Sequence, residues 1–141
     1  MRDMLIELDV TVDRPPQPVF DAWADLRNEP AWNPQVSAVT LLTGEPVATN
    51  SRFAVVVGGV GHHATIRRHT PPRLLEITTT GPTMTTRTVL AFTDGAAGTV
   101  VIARFEQHGR GLRRLLEPFR RAAVRAELAT RLAAFRSYCE T

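Results

Sequence analysis

The stretch MLIELDVTVDRPPQPVFDAWADLRNEPAWNP, residues 4–34, decides the fold. Ile6, Leu8, Val10 and Val12 alternate with Glu7, Asp9 and Thr11, so residues 4–12 predict a half-buried strand. Arg14-Pro15-Pro16 ends it, and proline suits the first turn of a helix, where a backbone N–H would have no partner anyway. Val19, Phe20, Trp23 and Leu26 then recur at helical spacing and predict a short helix through about Leu26. Residues 28–34, NEPAWNP, read as a loop or one further turn held by Trp32.

Beyond Gln35 the period shortens. Strands are expected near 35–43, 51–57, 62–70, 73–80, 84–93 and 98–107, separated by turns rich in glycine and proline. Connections this short make antiparallel hairpins, because parallel strands need long crossovers. After Gly109 and Gly111, a long helix from about Leu112 to Tyr138 closes the chain. Pro118 lies inside it, so a kink or break is expected near Glu117. Leu112, Leu115, Leu116 and Phe119 line one side before that point; Val124, Leu128, Leu132 and Phe135 line a rotated face after it. With no internal repeat, linker or low-complexity tract, residues 1–141 read as one domain. The expected class is α+β. A curved antiparallel sheet of six or seven strands wraps a long C-terminal helix, with two short helices after the first strand. One helix cannot fill so deep a curve, which leaves a cavity between helix and sheet.

Composition narrows the chemistry. Hydrophobic residues make up 43% and charged residues 22%, a globular balance. No apolar run approaches a membrane span, and no secretory leader is evident, so the expected compartment is the cytoplasm. The single cysteine, Cys139, excludes an internal disulfide and a multi-cysteine zinc site. All 17 basic residues are arginine. Schiff-base chemistry and a Walker-type phosphate loop therefore lack their lysine. Residues 108–141 hold eight arginines against Glu117, Glu127 and Glu140. Arg113, Arg120 and Arg131 run along one flank of the helix and Arg114, Arg121, Arg125 and Arg136 along another. Two flanks without interleaved aromatics make no nucleic-acid stripe, and a solvated helix surface outweighs attraction to anionic membranes.

His62, His63 and His69 invite a metal reading that strand geometry opposes. Adjacent strand residues point to opposite faces, and six residues separate His63 from His69 by about 20 Å. No metal site and no cofactor is expected; one of the three as a hydrogen-bonding or general-base group in the cavity is the minority reading, surface placement the commoner one. Gly58-Gly59-Val60-Gly61 precedes strand-like residues rather than a helix, so it reads as a hairpin turn and not a phosphate loop. Threonine is dense from Thr78 to Thr88, which β-propensity alone explains. If the strands are regular, Thr79, Thr86 and Thr88 bring hydroxyls inward and Arg87 points outward. Trp23 and Trp32 read as core or cavity-floor anchors. Cys139 carries little nucleophile signal, and no pair of carboxylates is spaced to force acid–base proximity.

Several stretches together resemble the SRPBCC superfamily of START-like lipid-transfer domains, PR-10 proteins and polyketide cyclase/dehydrase relatives. They are VTVDRPPQPVFDAWADLRNEPAWNP (10–34), HTPPRLLEI (69–77), DGAAGTVV (94–101) and RGLRRLLEPFRRAAVRAEL (110–128). The resemblance implies a helix-grip fold with an internal cavity for a hydrophobic or amphipathic small molecule, such as a lipid, polyketide or aromatic metabolite. The alternative it carries is a polyketide cyclase/dehydrase-type enzyme using the same cavity. The expected cavity residues are Trp23, Trp32, Phe53, Val55, His62, Ile66, Ile77, Thr79, Thr88, Leu90, Phe92 and Phe119. No catalytic residue is assigned. The expected partner is the small-molecule ligand, with no nucleic acid, and the expected state is monomer or homodimer.

Overall fold

The computed structural model describes residues 4–141, apart from the side chains of residues 112–115 and 117–118. Strand β1 (Met4–Val12) leads into helix α1 (Pro16–Ala24) and a 3-10 helix, η1 (Leu26–Ala31). Six strands follow: β2 (Val36–Leu41), β3 (Arg52–Val57), β4 (Val60–Thr70), β5 (Leu74–Thr80), β6 (Met84–Gly95) and β7 (Gly98–Gly109). Helix α2 (Leu112–Glu140) ends the chain. The strands form one antiparallel sheet in the order β1-β7-β6-β5-β4-β3-β2. This is the helix-grip arrangement. The segment after α1 takes the further-turn alternative, as a 3-10 helix that makes the second of the two short helices expected, and α2 runs as one element through residue 118 rather than breaking near Glu117. Proline near a helix start removes a single backbone bond, which flanking packing can offset.

The alternation in β1 places Met4, Ile6 and Val12 inside and Leu5, Glu7, Asp9 and Thr11 outside, as the pattern predicts. Val124, Leu128, Leu132 and Phe135 of α2 are all buried. Leu116 and Phe119 are not: Phe119 is 86% exposed. Leu112 and Leu115 lie outside the described side chains. At Leu116 and Phe119, then, the apolar side expected there is turned to solvent.

Two features fix how α1 and α2 close over the sheet. Gly98 sits at φ +128° in the β6–β7 turn, and a Cβ there would lie 2.1 Å from the Val12 carbonyl oxygen. Only glycine lets the turn approach the end of β1 so closely. At the opposite end of the chain, Glu140 Oε2 accepts from Asp13 N–H at 2.8 Å and Arg14 donates to the Glu140 carbonyl at 2.6 Å. These bonds tie the last turn of α2 to the β1–α1 corner.

Candidate functional site

The strand register divides the inner face of the sheet in two. At one end, Leu75 lies opposite Leu90 and Leu90 opposite Ala103, while Phe92 pairs with Val101. Phe92 meets Phe20 of α1 edge-on at 5.2 Å, and Phe20 meets His69 in the same way. That end is filled. At the other end, Phe105, Thr88 and Ile77 lie side by side across β7, β6 and β5; the next row is Gln107, Thr86, Thr79 and Ala64. Small and polar side chains replace bulky ones there, and they leave a cavity of about 120 Å³. Trp23 and Leu26, Val36, Val55 and Val57 complete its apolar wall; Glu29, Asn33, His62 and Arg131 bring further polar groups to it.

Of the expected residues, Trp23, Val55, His62, Ile77, Thr79 and Thr88 line this cavity. Phe53, Ile66, Leu90 and Phe92 are buried in the core away from it. Trp32 stands behind the wall, its ring 4.9 Å from Trp23 and 5.0 Å from Phe135, with its buried Nε1 lacking an acceptor among the described residues. Phe119 is in solvent and borders nothing of the cavity. Thr86, on the same face as Thr79 and Thr88, also lines it. Arg87 points outward, where it pairs with Glu76 at 3.0 Å and Glu106 at 3.3 Å.

The histidines separate as strand geometry requires, with one adjustment. His62 faces the cavity and His63 faces out. The register then shifts between Ile66 and Arg68, leaving both Arg67 and Arg68 exposed. This bulge returns His69 to the inner face, against Phe20, so His69 shares a face with His62 rather than with His63. His62 Nδ1 lies 2.8 Å from the Val60 carbonyl. A carbonyl only accepts, so Nδ1 carries the proton and Nε2 of the neutral ring is left as an acceptor. Gly81 packs against this ring, where a Cβ would fall 2.3 Å from Nε2.

Two charged cavity residues were not anticipated. Glu29 is on η1, three residues after buried Leu26, and residues three apart eclipse in a 3-10 helix. The turn is held by Asp25, which accepts from Arg27 N–H at 3.1 Å, and by Asn33 N–H donating to the Glu29 carbonyl at 2.7 Å. Burial pushes the Glu29 carboxyl up to about 7, and the charge of Arg131 only partly opposes this. Arg131 was expected on a solvated flank of α2. It lies about 20° around the helix from Val124, seven residues earlier, and so within the buried stripe. Burial lowers its pKa while Glu29 and then Glu127 raise it. A helical wheel carries the Arg131 signal; nothing in NEPAWNP shows that Glu29 turns inward. Asn33 and Arg131 also line a second space of about 320 Å³, an outer groove between residues 33–35 and Ala126, Glu127, Thr130 and Ala134 of α2.

The side chains thus bring hydrogen-bond donors and acceptors, one guanidinium and one carboxyl group that titrates near neutrality into a space framed by aromatic and aliphatic walls. Among the described residues no helix is long and apolar enough to cross a membrane.

Comparison with solved structures gives the same fold at low identity. The Zhui aromatase/cyclase from Streptomyces sp. R1128 superposes with a TM-score of 0.76 at 19% identity, covering 98% of this chain and 94% of that one. The di-domain aromatase/cyclase BexL of the BE-7585A biosynthetic pathway matches with a TM-score of 0.76 at 15% identity, over 99% of this chain and 50% of its own. A START superfamily protein from Mycobacterium smegmatis matches with a TM-score of 0.73 at 14% identity, over 96% and 97% of the two chains. No curated protein matches the sequence. The family model described as polyketide cyclase / dehydrase and lipid transport matches residues 4–140. The chain belongs to that family, within the SRPBCC superfamily.

Proposed function

We propose that residues 1–141 act as a single START-like unit that binds a compact, oxygen-bearing apolar molecule, of polyketide or aromatic-metabolite type, in the cavity between sheet and α2. The observation that carries this reading is the cavity wall itself. Thr79, Thr86, Thr88 and Gln107 form one polar patch on the inner face of the sheet, beside Ile77, and share the cavity with apolar Trp23 and Val55. A small set of oriented polar groups in an apolar wall is how a pocket fixes a ligand that carries oxygen. Size argues against an extended lipid chain, because about 120 Å³ is comparable to engineered cavities of about 150 Å³ that hold benzene. A cytoplasmic location fits such a metabolite-binding role. Native mass spectrometry of the purified protein tests the proposal: a co-purifying small molecule, lost on unfolding, is the expected result. Absence of any bound mass, together with no binding of small aromatic alcohols, overturns it.

A second reading is an enzyme of the cyclase/dehydrase kind. It is favoured by Glu29, a carboxyl group facing the cavity that titrates near neutral pH and so can both give and take a proton. His62 is a further polar residue on the wall. Incubation with an aromatisable poly-β-ketone separates the two readings: turnover lost in Glu29→Gln supports the enzyme, and binding without turnover supports the carrier.

A further inference from the structure

We infer that the cavity seats a carboxylate of its ligand against Arg131, and that Glu29 takes up a proton as that carboxylate binds. The inference rests on the ligand-binding reading above and deepens it. Arg131 is the one guanidinium among the described residues that lines the cavity, and no hydrogen bond or ion pair to its side chain is found among them. A guanidinium presents five donors and stays protonated, so a partly buried one that makes no hydrogen bond among the described residues has donors free for a ligand. A carboxylate matches its geometry in a bidentate way, which threonine hydroxyls cannot do.

The charged and titratable groups around Arg131 decide what can supply the negative charge. Glu127, one turn earlier on α2, is exposed and lies toward the outer groove. His62 on β4 faces the cavity but brings no negative charge. Glu29 on η1 is the remaining neighbour, and burial keeps it largely protonated below neutral pH. An ionised Glu29 and a ligand carboxylate are like charges competing for one guanidinium. Binding the anion therefore favours the protonated Glu29, and by linkage raising the pH weakens binding. Arg131 also borders the outer groove, so an anion arriving from solvent meets it at the boundary between the two spaces.

Benzoate and benzyl alcohol are matched probes of benzene size, one ionised and one neutral across the range tested. Titration of both by calorimetry at pH 6 and pH 8 is the experiment. Benzoate is expected to bind about tenfold more tightly at pH 6 than at pH 8, the limit set by exclusion around a midpoint near 7, and benzyl alcohol equally at both. Glu29→Gln should bind benzoate at pH 8 as tightly as the parent does at pH 6. Arg131→Gln should lose benzoate at least tenfold while keeping benzyl alcohol, which also reports that the variant is folded. Benzoate no tighter than benzyl alcohol at pH 6 overturns the anion seat, and a pH slope that persists in Glu29→Gln overturns the coupling. Benzyl alcohol binding without benzoate binding removes the anion seat alone. Failure of both probes at both pH values removes the cavity-binding reading as well.

Discussion

Glu29 and Arg131 face one cavity from η1 and α2, and among the described residues no ion pair joins them. Each feels the other's charge through the intervening space, yet desolvation dominates both. A contact pair would hold Glu29 ionised. Separation leaves it poised near neutrality, where it can respond to what enters.

This poise has a stability cost that can be measured. The carboxyl rises from an ordinary 4.5 in the unfolded chain to about 7 when folded. A raised carboxyl pKa means folding favours the neutral form. Its contribution is thus fully present below pH 4.5 and is lost as pH rises through 7. Glu29→Gln should match the parent near pH 4.5 and exceed it at pH 8, by up to about 3 kcal/mol. Urea unfolding at the two pH values checks this; a gap that does not change with pH sinks it.

Thr88→Val tests the polar patch. The substitution keeps the side-chain shape and removes the hydroxyl, leaving a bound ligand oxygen unpaired at about 1–3 kcal/mol if no neighbour replaces it. Benzyl alcohol should weaken by about fivefold to a hundredfold while toluene is barely affected. Equal losses for both probes would show a packing effect instead.

Gly98→Ala should be among the most damaging single substitutions. It adds a Cβ 2.1 Å from the Val12 carbonyl in a backbone conformation, φ +128°, that L side chains rarely adopt. Strain of this kind costs roughly 1–3 kcal/mol before the clash is relieved. Gly58→Ala is the control, since it also has positive φ but meets nothing within 4 Å. A melting temperature lowered more by Gly98→Ala than by Gly58→Ala is expected.

Phe119 and Phe135 are both aromatic residues of α2, but one is 86% exposed and the other 0%. Phe135 touches Trp23 at 4.6 Å and Trp32 at 5.0 Å between ring centroids. Phe135→Ala should lose about 3–5 kcal/mol, whereas Phe119→Ala should stay within about 0.5 kcal/mol and leave benzyl alcohol binding unchanged. Chemical unfolding of the two variants side by side measures the difference.

The alternation of residues 4–12, the proline-led helix and the short turns after Gln35 were enough to determine strand positions, the antiparallel sheet type and helix placement, because each is a local property of pattern and turn chemistry; the pairing of β1 with β7 was not legible there, because it joins distant parts of the chain. The period of two also assigned Thr79, Thr86 and Thr88 to one face and Arg87 to the other, as the structure has them. Sequence alone did not decide how far along that face the cavity extends. Ile66, Leu90 and Phe92 share the inner face with Thr88 and Ile77, yet all three are core, Phe92 because Phe20 of α1 packs on it. Which inward residue is core and which is pocket wall depends on the helix docked against it from elsewhere in the chain. The same holds for the charges. Glu29 and Arg131 are 102 positions apart in sequence; the helical wheel turns Arg131 inward, but nothing local to Glu29 does. Only docking η1 and α2 over the open end of the sheet brings both together and partly out of water, and that desolvation raises the pKa of the carboxyl group.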